Sequence, residues 1–374
     1  MKPKIFVAGT RGFPNIQGGI ESHCEELYTR IAQSGIDVTI CVRSPFVPQS
    51  RRIDSWKGVK FKYIWCPRSK SLEAIVHTSL SVIVARFHSA NILHIHAVGP
   101  SLLVPLARVL GMKVVMTHHG PDFERLKWGS FAKWMLRRGE SMGVRYSNCI
   151  IVIANYIKQD LEKRYRHLNN IRVIHNGVTL KKSVSTGEML GKFKIQPRRY
   201  IFTACRFVPE KGLHDLITAY GQLADKSIAL VIAGGEDHPS DYGKSIIECA
   251  ARHNVILTGI IFKDELAELF SNARLFILPS YYEGFPIALL EALGYSVPVL
   301  VSDIPAHHEI PLQASSYFRT GDVDDLCKMM SIQLTQNESD EELNKYRRLV
   351  GAFYSWDYIA DETIKVYNKL LSRK

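Results

Sequence analysis

Short apolar runs rich in β-branched residues alternate along the whole chain with longer segments whose apolar residues recur at helical spacing. The first run, at 4–10, predicts a buried strand. The segment 19–34 that follows predicts a helix with Cys24, Leu27 and Ile31 on one face. Such alternation is typical of βα units built around parallel sheets, so the predicted fold class is α/β.

The same pattern places further elements on both sides of a polar segment at 181–197. Strands are predicted at 37–42, 59–64, 92–96, 114–117, 149–153, 200–204, 228–233, 255–257, 275–278 and 297–301. Helices are predicted at 101–110, 130–146, 156–165, 213–224, 242–253, 264–272, 286–294, 323–335 and 356–371.

Two domains follow from this organisation and from a length of 374 residues. The first is predicted to span 1–178 together with a C-terminal helix at 356–374 that crosses back to it, and the second to span 179–355. Two doubly wound domains that face each other across a cleft are expected to bind ligands in that cleft, at the carboxyl ends of their strands.

Composition narrows the class of protein. With 46% apolar and 22% charged residues, the chain is neither disordered nor fibrous. Its apolar runs are too short for a transmembrane helix or a signal peptide, and its seven cysteines lack a CxxC pair, which favours reduced thiols in a cytoplasmic protein.

The charge is uneven. Residues 1–178 contain 26 Lys and Arg against 11 Asp and Glu, whereas the remainder contains 22 against 25. A basic half suits an anionic partner such as a phosphorylated substrate, a nucleic acid or a lipid headgroup; a basic surface that serves solubility is the alternative.

A glycine-bearing loop, GTRGFPNIQGG, follows the first predicted strand and leads into a helix. Glycines permit close backbone approach, and a helix N-terminus offers N–H groups to an anion, although an ordinary strand–helix turn has the same look. The loop has neither the dinucleotide fingerprint nor the P-loop pattern.

Two charged motifs lie in the second half. CRFVPEKG places Arg206 and Lys211 in a turn after the first strand, where two cations suit a diphosphate, or are simply solvated. EGFPIALLE places Glu283 in a loop after a later strand and Glu291 about one turn into the next helix. Carboxylates there suit sugar or ribose hydroxyls; a solvated pair is the alternative.

Together these segments resemble the retaining family 4 glycosyltransferases of the GT-B fold. EGFPIALLEA is similar to their Glu-x7-Glu signature and CRFVPEKG to their diphosphate-binding turn. VIHNGV resembles the segment where their chain leaves the first domain, and the glycine loop resembles that of rhamnosyltransferase-like members. THHGPDFERLKWG resembles their strand-end histidine loop, and the pieces occur in the family's order over nearly the whole chain.

The resemblance implies a role for each matching residue. Arg206 and Lys211 would hold the donor's diphosphate, Glu291 the ribose and Glu283 the donor sugar. Gly18 and Gly19 would let the first loop approach the phosphate and the sugar. His119, which directly precedes a glycine as the family's histidine does, or its neighbour His118, would contact the sugar. The remaining donor contacts are expected from Gly259, Ile260, Gly284, Phe285 and Ile287.

The chain departs from the family at Pro286, where many members have a glycine, and at Thr179, where an aspartate is common. Proline has no N–H to offer, so the donor contacts must come from its neighbours. The catalytic set implied is His119, His118, Glu283, Arg206 and Lys211. With two cations to stabilise the leaving diphosphate, no metal and no cofactor are expected.

Other kinds of site have weaker signals. The histidine pairs 94/96, 118/119 and 307/308 lack cysteines or carboxylates at zinc-ligand spacing, so no metal site is predicted, and no nucleic-acid-binding motif is present. The segment 125–138 mixes basic and aromatic residues. A helix over 130–146 would place Trp134, Arg137, Arg138 and Ser141 on one side, where they suit an anionic membrane. In the alternative, Phe131, Met135, Leu136 and Met142 of this helix belong to the core.

The predicted function is sugar transfer from a nucleoside diphosphate sugar to a saccharide acceptor. A lipid-linked glycan of a capsule, O-antigen or exopolysaccharide is expected as acceptor, and the protein is expected in the cytoplasm, peripherally on the inner face of the plasma membrane. A nucleotide-sugar epimerase or hydrolase of the same fold is one alternative; a non-catalytic, basic membrane-binding protein is the other. The sequence leaves the donor base, the sugar and the linkage open.

Overall fold

The computed structural model describes residues 3–16, 18–68, 72–124, 129–166, 168–185, 187–236, 239–261, 263–336 and 339–372. The chain forms two compact units, Met1–Asn176 with Trp356–Lys374, and Gly177–Ser355. The first boundary therefore follows Asn176 rather than residue 178, and the C-terminal helix belongs to the first unit.

The first unit is built on an eight-stranded sheet with the order β3-β4-β2-β1-β5-β6-β7-β8. The strands are β1 Lys4–Ala8, β2 Asp37–Arg43, β3 Ser55–Trp56, β4 Val59–Ile64, β5 Ile92–His96, β6 Lys113–His118, β7 Cys149–Val152 and β8 Ile171–Val173. The pairings are parallel, with β3 antiparallel to β4 at one edge. Strands β1, β5 and β6 are almost wholly buried because helices cover both faces of the sheet, which explains their continuous apolar runs.

Helices connect these strands: α1 Gly19–Gln33, α2 Glu73–Phe87, α3 Val104–Val109, α4 Ser130–Tyr146, α5 Asn155–Arg164 and the C-terminal α13 Trp356–Ser372. Helix α1 buries Cys24, Leu27 and Ile31, as its periodicity predicts, and α13 packs against it. The helix predicted at 101–110 is divided into a 3-10 turn, Pro100–Leu103, and α3.

The second unit contains a six-stranded parallel sheet with the order β11-β10-β9-β12-β13-β14. Its strands are β9 Tyr200–Ala204, β10 Ala229–Ala233, β11 Ile256–Gly259, β12 Leu275–Leu278, β13 Val299–Ser302 and β14 Tyr317–Phe318. Its helices are α6 Glu188–Lys192, α7 Leu213–Gln222, α8 Asp241–Arg252, α9 Lys263–Asn272, α10 Ile287–Gly294, α11 Val323–Thr335 and α12 Asp340–Phe353.

Each sheet has one point where the chain reverses its direction of winding. In the first unit the chain runs outward from β1 through β2 to β4, and then from β5 through β8 on the other side. In the second unit it runs from β9 to β11 and then from β12 to β14. The loops that leave β1 and β5, and those that leave β9 and β12, therefore diverge and open a crevice at the carboxyl edge of each sheet.

The described ranges contain elements that the hydrophobic pattern did not predict, namely α2, α6, α12, β3, β8 and β14. The other strands and helices lie where they were expected, with ends that differ by at most three residues. Within the described ranges, none of the helices combines the length and the apolar character needed to cross a bilayer.

Candidate functional site

Lys211 and Glu283 meet at the reversal point of the second sheet, between the loops that follow β9 and β12. The Lys211 Nζ lies 2.5 Å from Glu283 Oε1, and the Ser280 hydroxyl donates to the same oxygen at 2.8 Å. Arg206 lies in the same loop as Lys211, five residues earlier, and is half-buried. The fold therefore brings together three of the charged residues that the sequence singled out.

A glycine makes the close approach of these two loops feasible. Gly212 has a φ of +62°, and a Cβ there would lie 2.1 Å from the carbonyl oxygen of Pro279. The Tyr281 N–H also donates to the Glu210 carbonyl at 2.9 Å. Because the backbones of the two loops are in contact, the side chains of Lys211 and Glu283 are held close to each other.

Glu283 is an ionised carboxylate in a nearly closed environment. Burial of its side chain, which is only 10% exposed, raises the pKa of Glu283, but the charge of Lys211 and its hydrogen bond outweigh this effect and leave the pKa below its usual value. An ionised carboxylate accepts hydrogen bonds and donates none, which is what hydroxyl groups of a sugar require.

Ser280 and His307 also belong to this cluster, and the sequence motifs singled out neither of them. His307 is fully buried, its Nδ1–H donates to the Ser302 carbonyl at 2.7 Å, and its Nε2 has no hydrogen-bond partner among the described residues. Burial lowers the pKa of His307 to about 4, so the ring is neutral and Nε2 is an acceptor. Ser280 lies only three residues before Glu283, so the sequence could have indicated it. His307 lies 24 residues after Glu283 in the sequence, and only the fold brings the two close together.

The EGFPIALLE segment forms the loop before α10 and its first turn. Pro286 caps the helix, Ile287 begins it, and Glu291 is its fifth residue, half-buried about one turn into the helix, as predicted. The Phe285 side chain is buried against Tyr354, with ring centroids 5.5 Å apart, so only its backbone is placed to face a ligand. Gly284 is half-buried beside Glu283.

Gly259 and Ile260 lie at the carboxyl end of β11, two strands away from β9 on the same edge of the sheet. Gly259 has a φ of +74°, and its carbonyl accepts from the Gly234 N–H at 2.9 Å. The Ile260 side chain is 44% exposed at this edge of the sheet.

In the first unit the glycine loop after β1 is tied to α1 by charge. Glu21 in the first turn of α1 accepts from the Arg11 backbone N–H at 3.1 Å and from Arg11 Nε at 3.2 Å. A Cβ on Gly18 would lie 2.0 Å from Glu21 Oε2, whereas one on Gly19 would meet no atom within 4 Å. Gly18 is thus required by this ion pair, and the open space beside Gly19 is what an approaching phosphate or sugar needs.

The two neighbouring histidines of the THHG segment have different environments. His118 is fully buried, its Nε2 lies 3.0 Å from Glu140 Oε2, and its Nδ1 accepts from the Gly120 N–H at 3.1 Å. Both ring nitrogens of His118 are therefore engaged within the protein. The proposed sugar contact by His118 has to be withdrawn, and His119, which is half-buried, is the remaining candidate.

His119 begins a network of buried rings that the sequence did not reveal. Its Nε2 lies 2.9 Å from His96 Nδ1, His96 Nε2 lies 2.5 Å from the Tyr28 hydroxyl, and that hydroxyl lies 2.9 Å from His94 Nδ1. His23 stands against His119 with ring centroids 4.9 Å apart. One nitrogen each of His23, His96 and His119 lies within 4.8 Å of the others, so these residues are able to hold a metal ion.

Sequence profiles of two protein families match the chain. The profile described as "Glycosyltransferase Family 4" matches residues 17–182, and the one described as "Glycosyl transferases group 1" matches residues 188–350. Together the two matches leave out only the ends and a short central segment.

Relatives of known name match over the whole chain or half of it. The alpha-maltose-1-phosphate synthase of Mycobacterium tuberculosis is 25% identical over 395 residues, which cover 96% of this chain and 97% of its own. O-antigen chain mannosyltransferase B of Escherichia coli is 28% identical over 187 residues, 49% of each chain. The N,N'-diacetylbacillosaminyl-diphospho-undecaprenol alpha-1,3-N-acetylgalactosaminyltransferase of Campylobacter jejuni is 25% identical over 213 residues, 54% of this chain and 55% of its own.

Solved structures match over the full length at lower identity. The sucrose-phosphate synthase of Thermosynechococcus elongatus has a TM-score of 0.84 at 19% identity, covering 100% of both chains. The Anabaena protein HepE in complex with UDP-glucose has a TM-score of 0.79 at 13% identity, covering 99% of this chain and 100% of its own. These likenesses show that the fold is shared from one end of the chain to the other.

Proposed function

Because the chain belongs to the family 4 glycosyltransferases and has their GT-B fold of two Rossmann-like units, we propose that it moves a sugar from a nucleoside diphosphate sugar to a saccharide acceptor. Transfer proceeds with retention at the anomeric carbon. The acceptor is a lipid-linked glycan in the synthesis of a surface polysaccharide, at the cytoplasmic face of the membrane.

The cluster of Arg206, Lys211 and Glu283 carries this proposal. Two cations and one ionised carboxylate at a sheet reversal point fit a ligand with a diphosphate next to neutral hydroxyls. In this assignment Arg206 and Lys211 bind the diphosphate and Glu283 the sugar. Glu291, one turn into α10, binds the ribose, and the exposed face of Gly259 and Ile260 lies under the base.

The chemistry follows from where charge develops. Cleavage of the bond to the anomeric carbon leaves negative charge on the β-phosphate, and Arg206 and Lys211 are already positioned to stabilise it, so the transfer needs no metal or cofactor. His119 contacts the sugar near the anomeric carbon. The acceptor attacks on the face that the diphosphate leaves, and a phosphate oxygen takes its proton. Detection of a covalent glycosyl-enzyme would contradict this step.

Exposed apolar residues of the first unit support the lipid-linked acceptor. Helix α3 packs against α4, and the 3-10 turn Pro100–Leu103 packs against α2, α3 and α4. Phe87 on α2 is 83% exposed, Val109 on α3 84% and Phe131 on α4 71%. With the excess of basic residues in this half, these residues suit a bilayer that contains anionic lipids. Among the relatives, the Campylobacter jejuni enzyme is named for an acceptor on diphospho-undecaprenol.

Calorimetric binding of UDP, dTDP, GDP and ADP in the absence of metal tests the donor site. We expect one of the four to bind, and Arg206→Ala and Glu291→Ala to abolish that binding. The control Arg252→Ala removes an exposed arginine from the end of α8, in the same unit, and is expected to bind as the wild type does. Loss of binding in the control as well, or equal binding in all variants, would refute the assignment.

The carboxylate of Glu283 is tested separately with the sugar-bearing donor. Glu283→Gln is expected to weaken binding of the nucleoside diphosphate sugar on the order of 10–100-fold, the value of a charge-assisted hydrogen bond, while binding of the nucleotide itself is retained. Equal loss for both ligands would show that Glu283 acts on the diphosphate through Lys211.

Acceptor dependence separates transfer from the alternative activities. A product that appears only when a saccharide acceptor is supplied, with the anomeric configuration of the donor, supports retaining transfer. Conversion of the nucleotide sugar without acceptor would indicate an epimerase or hydrolase, and absence of affinity for nucleotides would indicate a binding protein.

A further inference from the structure

Three histidines from distant parts of the sequence meet at the reversal point of the first sheet. His23 lies on α1, His96 ends β5 and His119 follows β6. One ring nitrogen of each lies within 4.8 Å of the others, and this is the sole group of this kind among His, Cys, Asp and Glu of the described ranges. His23 and His96 are buried, and His119 is half-buried.

The ring of His23 is held by Asn176, which leaves its other nitrogen as the candidate ligand. Its Nδ1 lies 2.9 Å from Asn176 Oδ1, and since an amide oxygen only accepts, Nδ1 carries the proton. Its Nε2 is then an unprotonated acceptor, and it is buried without a hydrogen-bond partner in the described part of the chain. The whole residue is 3% exposed. A buried polar atom without a partner is costly, and a metal ion would satisfy it.

The ring of His96 is oriented by a second chain of hydrogen bonds. Its Nε2 lies 2.5 Å from the Tyr28 hydroxyl, which lies 2.9 Å from His94 Nδ1. His94 Nδ1 lies closer still, at 2.6 Å, to the Tyr367 hydroxyl, which we take as its donor. We assign the Tyr28 proton to the Tyr367 oxygen, so that the Tyr28 oxygen accepts from His96 Nε2–H. His96 Nδ1 is then unprotonated and lies 2.9 Å from His119 Nε2. A histidine whose far nitrogen is held by such a partner is the usual arrangement behind a metal ligand.

We propose that His23 Nε2, His96 Nδ1 and His119 Nε2 bind a divalent transition metal ion, zinc in the first place, with a fourth position open to water. Three imidazoles without carboxylates select zinc over magnesium or calcium, and three protein ligands with one open position form a known tetrahedral set. Ligands at about 2.0 Å from zinc are about 3.3 Å apart. The nitrogens of His96 and His119, which lie 2.9 Å apart, have to separate slightly, and the loop position of His119 permits this. Since the nitrogens of the whole group lie within 4.8 Å of one another, the more distant ones have to approach the ion.

The sequence analysis predicted no metal site because it searched for ligands at short spacing. These three residues are separated by whole βα units, so only the topology of the sheet assembles them. The ion also has a consequence that rests on the proposed function. Because it occupies the ring of His119, which is assigned to the donor sugar, zinc is expected to inhibit transfer.

Binding is tested on the full-length protein after removal of metals with a chelator. Zinc affinity is measured by competition with a chromophoric chelator, and the visible absorption of added cobalt reports the ligand geometry. We expect one bound ion per chain with tetrahedral cobalt absorption. His119→Ala and His23→Ala are expected to weaken binding by at least the 10–100-fold that loss of a supporting contact costs.

His77→Gln is the matched control, because His77 is a fully buried histidine of the same unit outside the group. Circular dichroism checks that each variant is folded. If His23→Ala does not fold, His119→Ala still tests the site, because His119 is only half-buried. Binding that survives His119→Ala, no bound ion, or cobalt absorption typical of thiolate ligands would each overturn the proposal. Failure of nucleotide binding would leave the metal result untouched, so the two proposals fail separately.

Discussion

Glu140, on the buried face of α4, accepts hydrogen bonds from three side chains. His118 Nε2 lies 3.0 Å from Oε2, Arg164 pairs with both carboxylate oxygens, and the Tyr165 hydroxyl donates to Oε1 at 2.9 Å. Burial by itself raises the pKa of Glu140, but the hydrogen bonds from His118 and Arg164 and their charges outweigh it and lower the pKa to about 2. The carboxylate therefore stabilises the fold in its ionised form.

The lowered pKa of Glu140 determines how the stability of the fold depends on pH. The stabilisation is fully present above the ordinary value of 4.5 and is lost as the pH falls towards 2. We expect Glu140→Gln to reduce the free energy of unfolding by about 3 kcal/mol at neutral pH, because breaking a buried ion pair leaves its partners uncompensated. The difference between wild type and variant should shrink across that acidic range.

Chemical denaturation at a series of pH values measures this effect. Glu162→Gln is the control, since Glu162 is exposed and lies 3.7 Å from Lys158. The control is expected to change stability by less than about 1 kcal/mol. A pH dependence that is the same in all three proteins would show that Glu140 does not contribute through its charge.

At the scale of the element, helix α2 shows why the hydrophobic pattern missed a helix although it found most of the strands. Strands buried on both faces have continuous apolar runs, which are easy to recognise. The buried face of α2 instead includes His77, Thr78 and Ser81, while Phe87 is exposed. Thr78 and Ser81 satisfy their hydroxyls on backbone carbonyls one turn earlier, so the polar residues are buried without an apolar stripe.

Helix α4 was predicted with two alternative faces, and the structure decides between them for its first turns. Phe131 and Trp134 are 71% and 50% exposed, with their rings stacked 6.0 Å apart, so the core role considered for Phe131 is wrong. The helix packs closely on the unit through glycines instead. A Cβ on Gly139 would lie 2.2 Å from the carbonyl oxygen of Val98, in the segment after β5, and one on Gly143 would lie 2.3 Å from the sulfur of Met116 in β6. The segment 125–128 that precedes it lies outside the described residues.

Exposed aromatic rings beside arginines make vesicle binding the prediction for this helix. The Arg138 guanidinium lies 5.4 Å above the Trp134 ring, so charge and apolar surface are adjacent. The double variant Phe131→Ser, Trp134→Ser is expected to bind vesicles with anionic lipids at least about tenfold more weakly, because one inserted aromatic ring contributes about 1.5–3 kcal/mol.

Phe353→Ser is the control, since Phe353 is 63% exposed but lies on α12 in the second unit. Sedimentation with vesicles at low and high salt measures both contributions, and binding should weaken with salt because the charges are exposed. Equal binding of the double variant and the wild type would mean that α4 does not contact the membrane.

For the molecule as a whole, the sequence indicates the candidate residues at the reversal point of the second sheet better than those at the reversal point of the first. The residues proposed for the donor in the second unit lie in two continuous motifs, so the sequence alone singles out Arg206, Lys211, Glu283 and Glu291. His307 and the group of His23, His96 and His119 have no such signal, since their neighbours in space come from separate βα units. Residues that meet only through tertiary contacts cannot be found from their spacing in the sequence, even where the pattern of strands and helices around them is regular.

The residues assigned to the nucleotide give a prediction for where the ligand protects the full chain against amide hydrogen exchange. A nucleoside diphosphate that binds is expected to slow amide hydrogen exchange in the loop 205–212, in the loop and first turn 280–291 and after β11 at 259–261. These segments contain the residues assigned to the diphosphate, the sugar, the ribose and the base. Protection at 18–22 as well is expected from the role assigned to Gly18 and Gly19.

Arg206→Ala supplies the comparison, because it should remove the protection at every segment together. Binding stabilises the native state by about 2.7 kcal/mol when the ligand is present at about 100 times its dissociation constant, so the effect on local opening is large enough to measure. Protection confined to the first unit would place the nucleotide at the histidine group instead. In that case the ion pair of Lys211 and Glu283 would be a structural link between two loops, and the donor assignment would fall with it.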